Sequence, residues 1–287
     1  TNSKGGESMR VPITYIASSG HRYDLVSNGI RHKTANYHRW GYGVQGTKLQ
    51  YGVRVADFEK DPGEYETELI IVGSERHRQA LINALHDDFE TDIKNRQPGR
   101  IIWGDYYIDC YINESDTTPT EYPTQTLNKI KIYAPYPYWV QDYNIELLPS
   151  EETESEFLDF PINFPFDFTA PTIGETTIKS DFPFASEFEM VIFGPAVNPR
   201  VTINYYSYVL YTTIPDGAYV VIDSRKKTVM QFNTDGTQSN IFNLRNKTDS
   251  IFQKIPGGNL RISWDATFGV NITIHRERSE PRVEVRE

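Results

Sequence analysis

Cysteine is nearly missing from this chain. One cysteine in 287 residues, Cys110, excludes an internal disulfide framework and any zinc site built on clustered thiolates. No apolar run approaches the roughly 18 residues of a membrane-spanning helix, and no basic-then-apolar leader opens the sequence. Neither membrane insertion nor secretory export is therefore expected, and the N-x-S/T triplets at Asn113, Asn246 and Asn271 read as chance. Lysine and arginine are scarce in the middle, where residues 101–200 carry 4 basic against 17 acidic side chains. That imbalance argues against a dedicated nucleic-acid surface there, because phosphate contacts need cations. The flanking thirds are close to balanced, 14 against 13 and 11 against 9.

Catalytic patterns are lacking as well. The six histidines, at 21, 32, 38, 77, 86 and 275, show no HExxH or HxH spacing. There is no G-x-S-x-G elbow and no P-loop lysine motif. "GYGVQG" at 41–46 satisfies G-x-G-x-x-G but has no strand before it and no helix after it, which the dinucleotide motif requires. Asp87 and Asp88 are adjacent on a predicted helix and point apart, unlike a glycosidase pair. The expectation is no catalytic, cofactor-binding or metal-ligating residue.

What is present is aromatic and strand-forming. With 38% hydrophobic and 13% aromatic residues, the chain can fill two cores of roughly 140 residues each. In the first part, "YETELIIVG" reads as a strand, and Ser74 stands where a helix N-cap would, ahead of "ERHRQALINALHDDF". Leu81, Ile82, Leu85 and Phe89 fall on one helical face, with Glu75, Arg76, Arg78, Asp87 and Asp88 assigned to the other. "RIIWGDYYIDCYINE" and "TLNKIKIYAPYPYWV" follow as strands, with Cys110 as a small buried hydrophobe. The second part has no helical pattern. "EMVIFG", "RVTINYYSYVLYTTI", "AYVVIDSRKKTVMQF", "RISWDATF" and "VNITIHRE" are strand candidates, several of them set off by "PDG", "TDG" and "PGG" turns. The charged end, "HRERSEPRVEVRE", reads as a last edge strand and a solvated tail.

Four segments follow. Residues 1–8 are an expression scar or a flexible arm, 9–145 a first domain, 146–160 an acidic connector, and 161–287 a second domain. From the connector into the second domain, "FLDFPINFPFDF" at 157–168 and its echo "DFPFASEF" at 181–188 suit edge strands stapling the junction, where proline is tolerated and alternate Phe side chains cover a face. The fold class is mainly β, a β-sandwich or barrel carrying one helix followed by a jelly-roll or lectin-like sandwich.

The stretch "YGVRVADFEKDPGEYETELIIVGSERHRQALINALHDDF", then "GRIIWGDYYIDCYI" and "IKIYAPYPYW", resembles the N-terminal domain of phage distal tail proteins. "GPAVNPRVTI", "IPDGAYVVIDSRKKTVMQ" and "FQKIPGGNLRISW" continue the likeness into the lectin-like C-terminal domain of that family, so it covers roughly residues 10 to 285. The resemblance implies a tail-tube-like β-sandwich or split barrel with one helix, then a galectin-like or carbohydrate-module-like β-sandwich. It also implies a structural virion protein forming a homohexameric ring at the tail tip of a long-tailed phage, assembled in the bacterial cytoplasm. Its implied partners are the tail tube protein, a tail-associated lysin or tip protein, and receptor-binding or fibre proteins. DNA would be a transient passenger through a lumen lined by acidic or neutral side chains.

Residues 36–58, "NYHRWGYGVQGTKLQYGVRVADF", hold Tyr37, Trp40, Tyr42 and Tyr51 with few aliphatic residues before Val53. They read either as a protruding hairpin whose aromatics grip a neighbouring subunit or as a loop packed on its own sheet. The alternative function is a lectin-like adhesion module recognising host glycans, with Trp264, Asp265 and Tyr205 as contacts, beside Asn204 and Tyr206. Trp264 alternates with Ile262, which also suits a core position.

Overall fold

The computed structural model describes residues 11–149 and 174–282. Residues 1–8, the acidic run from Glu151 on, and the Phe/Pro stretch 157–168 lie outside them. The described chain divides into two compact units, 11–141 with 277–282, and 142–276. This division falls a few residues before the acidic run and returns the chain's end to the first unit.

The first unit is built from β1 (Ile13–Ile16), β2 (Arg22–Asp24), β3 (Ile30–Ala35), β4 (Gly43–Lys48), β5 (Val53–Glu59), β6 (Gly63–Val72), α1 (Glu75–Asn95), β7 (Gly99–Trp103), β8 (Tyr106–Pro119), β9 (Gln125–Ala134) and the start of β10 (Trp139–Leu147). Every pairing is antiparallel. β2, β1, β7 and the start of β8 form one layer, and β3, β6, β9 and the rest of β8 form the other. β8 serves both because its 14 residues pair with β7 up to Cys110 and with β9 from Tyr111. Ile71, Leu69, Ile101, Ile108, Ile132 and the Cys110 thiol fill the space between. Burial pushes that thiol far above its ordinary range, so it is an inert core group.

α1 begins where the sequence places it. The Ser74 hydroxyl accepts a hydrogen bond from the His77 amide at 3.3 Å, and the helix ends at Arg96 in the left-handed region. Ile82, Leu85 and Phe89 face the core, but so do Asp88 and Asp92, which corrects the expected polar face. Asp92 accepts from the Ser18 amide at 2.9 Å, the Ser18 hydroxyl at 2.6 Å and the Tyr15 hydroxyl. Asp88 accepts from Ser19 at 2.9 Å and Tyr23 at 2.5 Å, and lies 3.0 Å from the His21 ring. A carboxylate is tolerated in this setting because its lone pairs are taken up. Burial pushes the Asp88 carboxyl up, yet the bonds from Tyr23, Ser19 and His21 outweigh it and hold it below the usual range.

The second unit contains the rest of β10, then β11 (Gly174–Ile178), β12 (Glu187–Phe193), β13 (Ala196–Val197), β14 (Arg200–Ile203), β15 (Tyr206–Val209), β16 (Thr213–Ile214), β17 (Tyr219–Asp223), β18 (Thr228–Phe232), β19 (Gln238–Asn240), β20 (Leu260–Trp264) and all but the last two residues of β21 (Val270–Arg278). One sheet runs β19-β18-β17-β12-β21 with β10 beyond, and a second runs β11-β20-β14-β15. Met190, Ile192, Val220, Ile222, Val201, Ile262, Val270 and Ile272 form the core, making a β-sandwich. The glycines of the three expected turns, Gly217, Gly236 and Gly258, all have φ between 72° and 82°, which a side chain would strain.

Two expectations change here. β21 is not an edge strand, since β12 lies on one side and β10 on the other, where Thr273 donates to Asn144 at 3.0 Å and His275 meets Asp142 at 2.6 Å. In the 181–188 echo, Phe182 and Phe188 are buried but only its end is strand, so the segment packs as a loop leading into β12.

Candidate interaction site

β4 and β5 pair only with each other among the described strands, and every residue from His38 to Glu59 is exposed. Within residues 36–58, β4 and β5 therefore form a hairpin paired with no other described strand. Its register is Val44 opposite Phe58, Gln45 opposite Asp57, and, after a bulge, Gly46 opposite Val55, Thr47 opposite Arg54 and Lys48 opposite Val53. Strand alternation then sorts the side chains. Val44, Phe58, Val55 and Val53 share one face with the Lys48 stem, while Gln45, Asp57, Thr47 and Arg54 take the other. Gly46 is required at the bulge, where a Cβ would lie 2.4 Å from the Arg54 carbonyl oxygen. At the far end Leu49 and Tyr51 flank the turn, with Tyr51 86% exposed.

The root of the hairpin is held firmly. Tyr37 is 1% exposed, packs edge-on against Tyr65, Trp103 and Trp139, and accepts from Thr67 at 2.9 Å. It belongs to the core, which corrects its grouping with the exposed aromatics. Trp40 and Tyr42 remain at the surface in a T-shaped pair with ring centres 5.9 Å apart. They border a cleft of about 830 Å³ that also takes in Lys60, Glu64, Tyr65 and Tyr133. The Lys60 ammonium sits 4.0 Å from the Tyr138 ring centre and 5.5 Å from that of Tyr42, and donates to the Ser279 hydroxyl at 3.0 Å. Burial pushes this amine down to about 8, against the upward pull of Glu277. The chain's end thus returns to brace the hairpin root.

The proposed glycan contacts do not converge. Trp264 is 9% exposed, its indole lying across Gly174, where a Cβ would come within 2.8 Å. It offers no ring face for a sugar. Tyr205 is fully exposed at the β14–β15 turn, whereas Trp264 pairs with Val201, four residues and roughly 13 Å back along the strand. Asp265 is exposed just past Trp264. Among the described residues no group of three or more His, Cys, Asp or Glu is placed to hold a metal ion, and no helix is long and apolar enough to cross a membrane.

An exposed amphipathic ribbon, one helix and two β units make an arrangement that solved structures can be compared with. A chain of the phage P2 baseplate in its activated conformation with calcium matches 95% of this chain and 100% of its own length, with a TM-score of 0.62 and 12% identity. The Dit protein of phage SPP1, described as a paradigm of the hub adsorption apparatus in phages infecting Gram-positive bacteria, matches 93% of this chain and 99% of its own. Its TM-score is 0.58 and its identity 10%. The fold is that of phage distal tail and baseplate hub proteins. The strontium form of the p2 baseplate gives a TM-score of 0.60 at 13% identity, covering 94% of this chain and 99% of that one. No family model matches the sequence, and no curated protein does. At such identity the likeness lies in strand order and turns, as the sequence resemblance did.

Proposed function

We propose that this protein is a structural component of a phage tail tip, a distal tail protein whose first unit closes into a six-membered ring. The ring continues the tail tube toward the baseplate or tip protein, and the second unit offers attachment for receptor-binding or fibre proteins. DNA passes through the ring during injection without being retained. The observation that carries this reading is the likeness to baseplate and Dit chains over 93% to 95% of this chain and 99% to 100% of theirs. The free β4–β5 hairpin supports it, because an exposed apolar ribbon of this kind suits contact with a neighbouring copy. A closed ring needs a heterologous contact, with different surfaces of each copy meeting.

Light scattering on the purified chain, with negative-stain images, tests the reading. The expected result is a particle of six subunits with a central hole. A protein that stays monomeric alone and in the presence of tail tube subunits would overturn it.

A further inference from the structure

The hairpin carries two complementary features at opposite ends. At its tip, Leu49 and Tyr51 project from the turn, and Gly52 at φ 83° lets the chain reverse tightly beneath them. At its root lies the cleft bordered by Trp40, Tyr42, Lys60, Glu64, Tyr65 and Tyr133. The cleft has aromatic walls together with two cations, Arg39 and Lys60, and two carboxylates, Asp61 and Glu64. It therefore suits an amphipathic ring such as tyrosine, with an apolar body and a hydroxyl needing a partner. β4 spans six residues, so tip and root are roughly 20 Å apart at about 3.4 Å per residue. A two-stranded ribbon does not fold back over that length, and a tip cannot fill the cleft of its own chain.

We infer that Leu49 and Tyr51 at the hairpin tip seat in the root cleft of a second copy of this chain, joining copies head to tail. This deepens the reading above and rests on it, since it names the surfaces by which the copies meet. The contact draws on the exposed apolar residues of the hairpin. Trp40, Tyr42, Val44, Leu49, Tyr51, Val53, Val55 and Phe58 are all at least 41% exposed. Together they offer on the order of 800 Å² of side chain, divided between the two contacts that each copy makes, so tip and cleft together supply about half the area of a standard interface per contact. The contact is heterologous, since each copy gives a tip to one neighbour and a cleft to the other. Such contacts build a ring where the rotation closes and a filament where it does not.

Cysteine cross-linking tests this directly, because the native Cys110 is buried. Gly41 lines the cleft with nothing within 4 Å of an added Cβ, so Gly41→Cys is accommodated. With a bis-maleimide, a mixture of Gln50→Cys and Gly41→Cys proteins, which keep both tip anchors, is expected to yield covalent dimers, and the double variant a ladder of higher species. Each single variant alone is expected to yield neither. Efficient cross-linking of Gln50→Cys by itself would mean tip meets tip and would overturn the proposal. A second pair needs no cross-linker. A tip-defective variant (L49S, Y51A) and a cleft-defective variant (W40A, Y42A) should each lose at least about tenfold in self-association, within the range of central aromatic anchors. Mixed, they keep one sound junction per pair and should stop at a one-to-one dimer. Rings formed by unmodified protein without these cross-links would sink the tip-and-cleft contact and leave the hub reading standing. Absence of both rings and cross-links, with tail tube subunits present as well as without them, would sink the two together.

Discussion

β5 and β6 are neighbours in sequence, separated only by Lys60, Asp61 and Pro62, and both alternate polar with apolar residues. In β6 the alternation becomes burial, with Tyr65, Thr67, Leu69 and Ile71 inside and β3 and β9 on either side. In β5 every residue is exposed, and only β4 pairs with it. Alternation therefore reports that a strand has an apolar face, and leaves open whether that face is covered by the same chain or by another. The largest effect that would sharpen the contrast is on stability. Leu69→Ala in β6 should cost about 3 kcal/mol by leaving a cavity in the core, whereas Val55→Ala in β5 should stay within about 0.5 kcal/mol. Urea unfolding of the two variants compares them, and equal losses would mean that the hairpin is packed in the free protein.

The same contrast runs through α1. Its apolar stripe was legible, and so was Ser74 as its cap, because 3.6-residue spacing and a capping side chain are local signals. Asp88 and Asp92 were not, since an aspartate is bearable in a core only when distant partners satisfy it. Tyr15, Ser18, Ser19, His21 and Tyr23 lie some 65 to 77 positions away. Tyr37 was misjudged for a related reason. Its composition matches that of Trp40 and Tyr42, and only the Thr67 hydroxyl and three enclosing rings separate it from them. In the second unit, the turns at Gly217, Gly236 and Gly258 announced themselves, while β11, "GETTI", has too few apolar residues to signal a strand.

Asp92 gives the next effect in size. Asp92→Ala removes the acceptor for three donors and leaves the Tyr15 hydroxyl unpaired in the core, costing about 2 to 3 kcal/mol. Asp92→Asn keeps an acceptor and should cost less. Thermal melts of the two variants check this, and equal losses would show that the charge, more than the hydrogen bonds, matters at this position.

Asp88 adds a smaller effect that depends on pH. Its folded carboxyl is held below its unfolded value near about 3.9, so its stabilisation is complete above roughly pH 5 and is lost as pH falls through the folded value. Asp88→Asn should be less stable than the parent at neutral pH and should approach it in acid. Melting temperatures from neutral pH down to about pH 2 follow the difference. A gap that widened in acid would mean the carboxyl is protonated more readily when folded, contrary to its hydrogen bonds.

The smallest effect on folding should be the largest on assembly. Val55→Ser and Phe58→Ser together replace the centre of the exposed ribbon face without touching either core. A face that only meets water gains slightly from the added hydroxyls, so the melting temperature of the monomer should move by no more than a degree or two. A face that meets another copy loses two anchors and acquires polar groups to desolvate, and self-association should weaken by at least about tenfold. Sedimentation at several concentrations, set beside the melts, reads both quantities on one preparation. If the variant assembles as the parent does, the apolar face of β4 and β5 has another purpose, and the difference between β5 and β6 is no longer explained by a second copy.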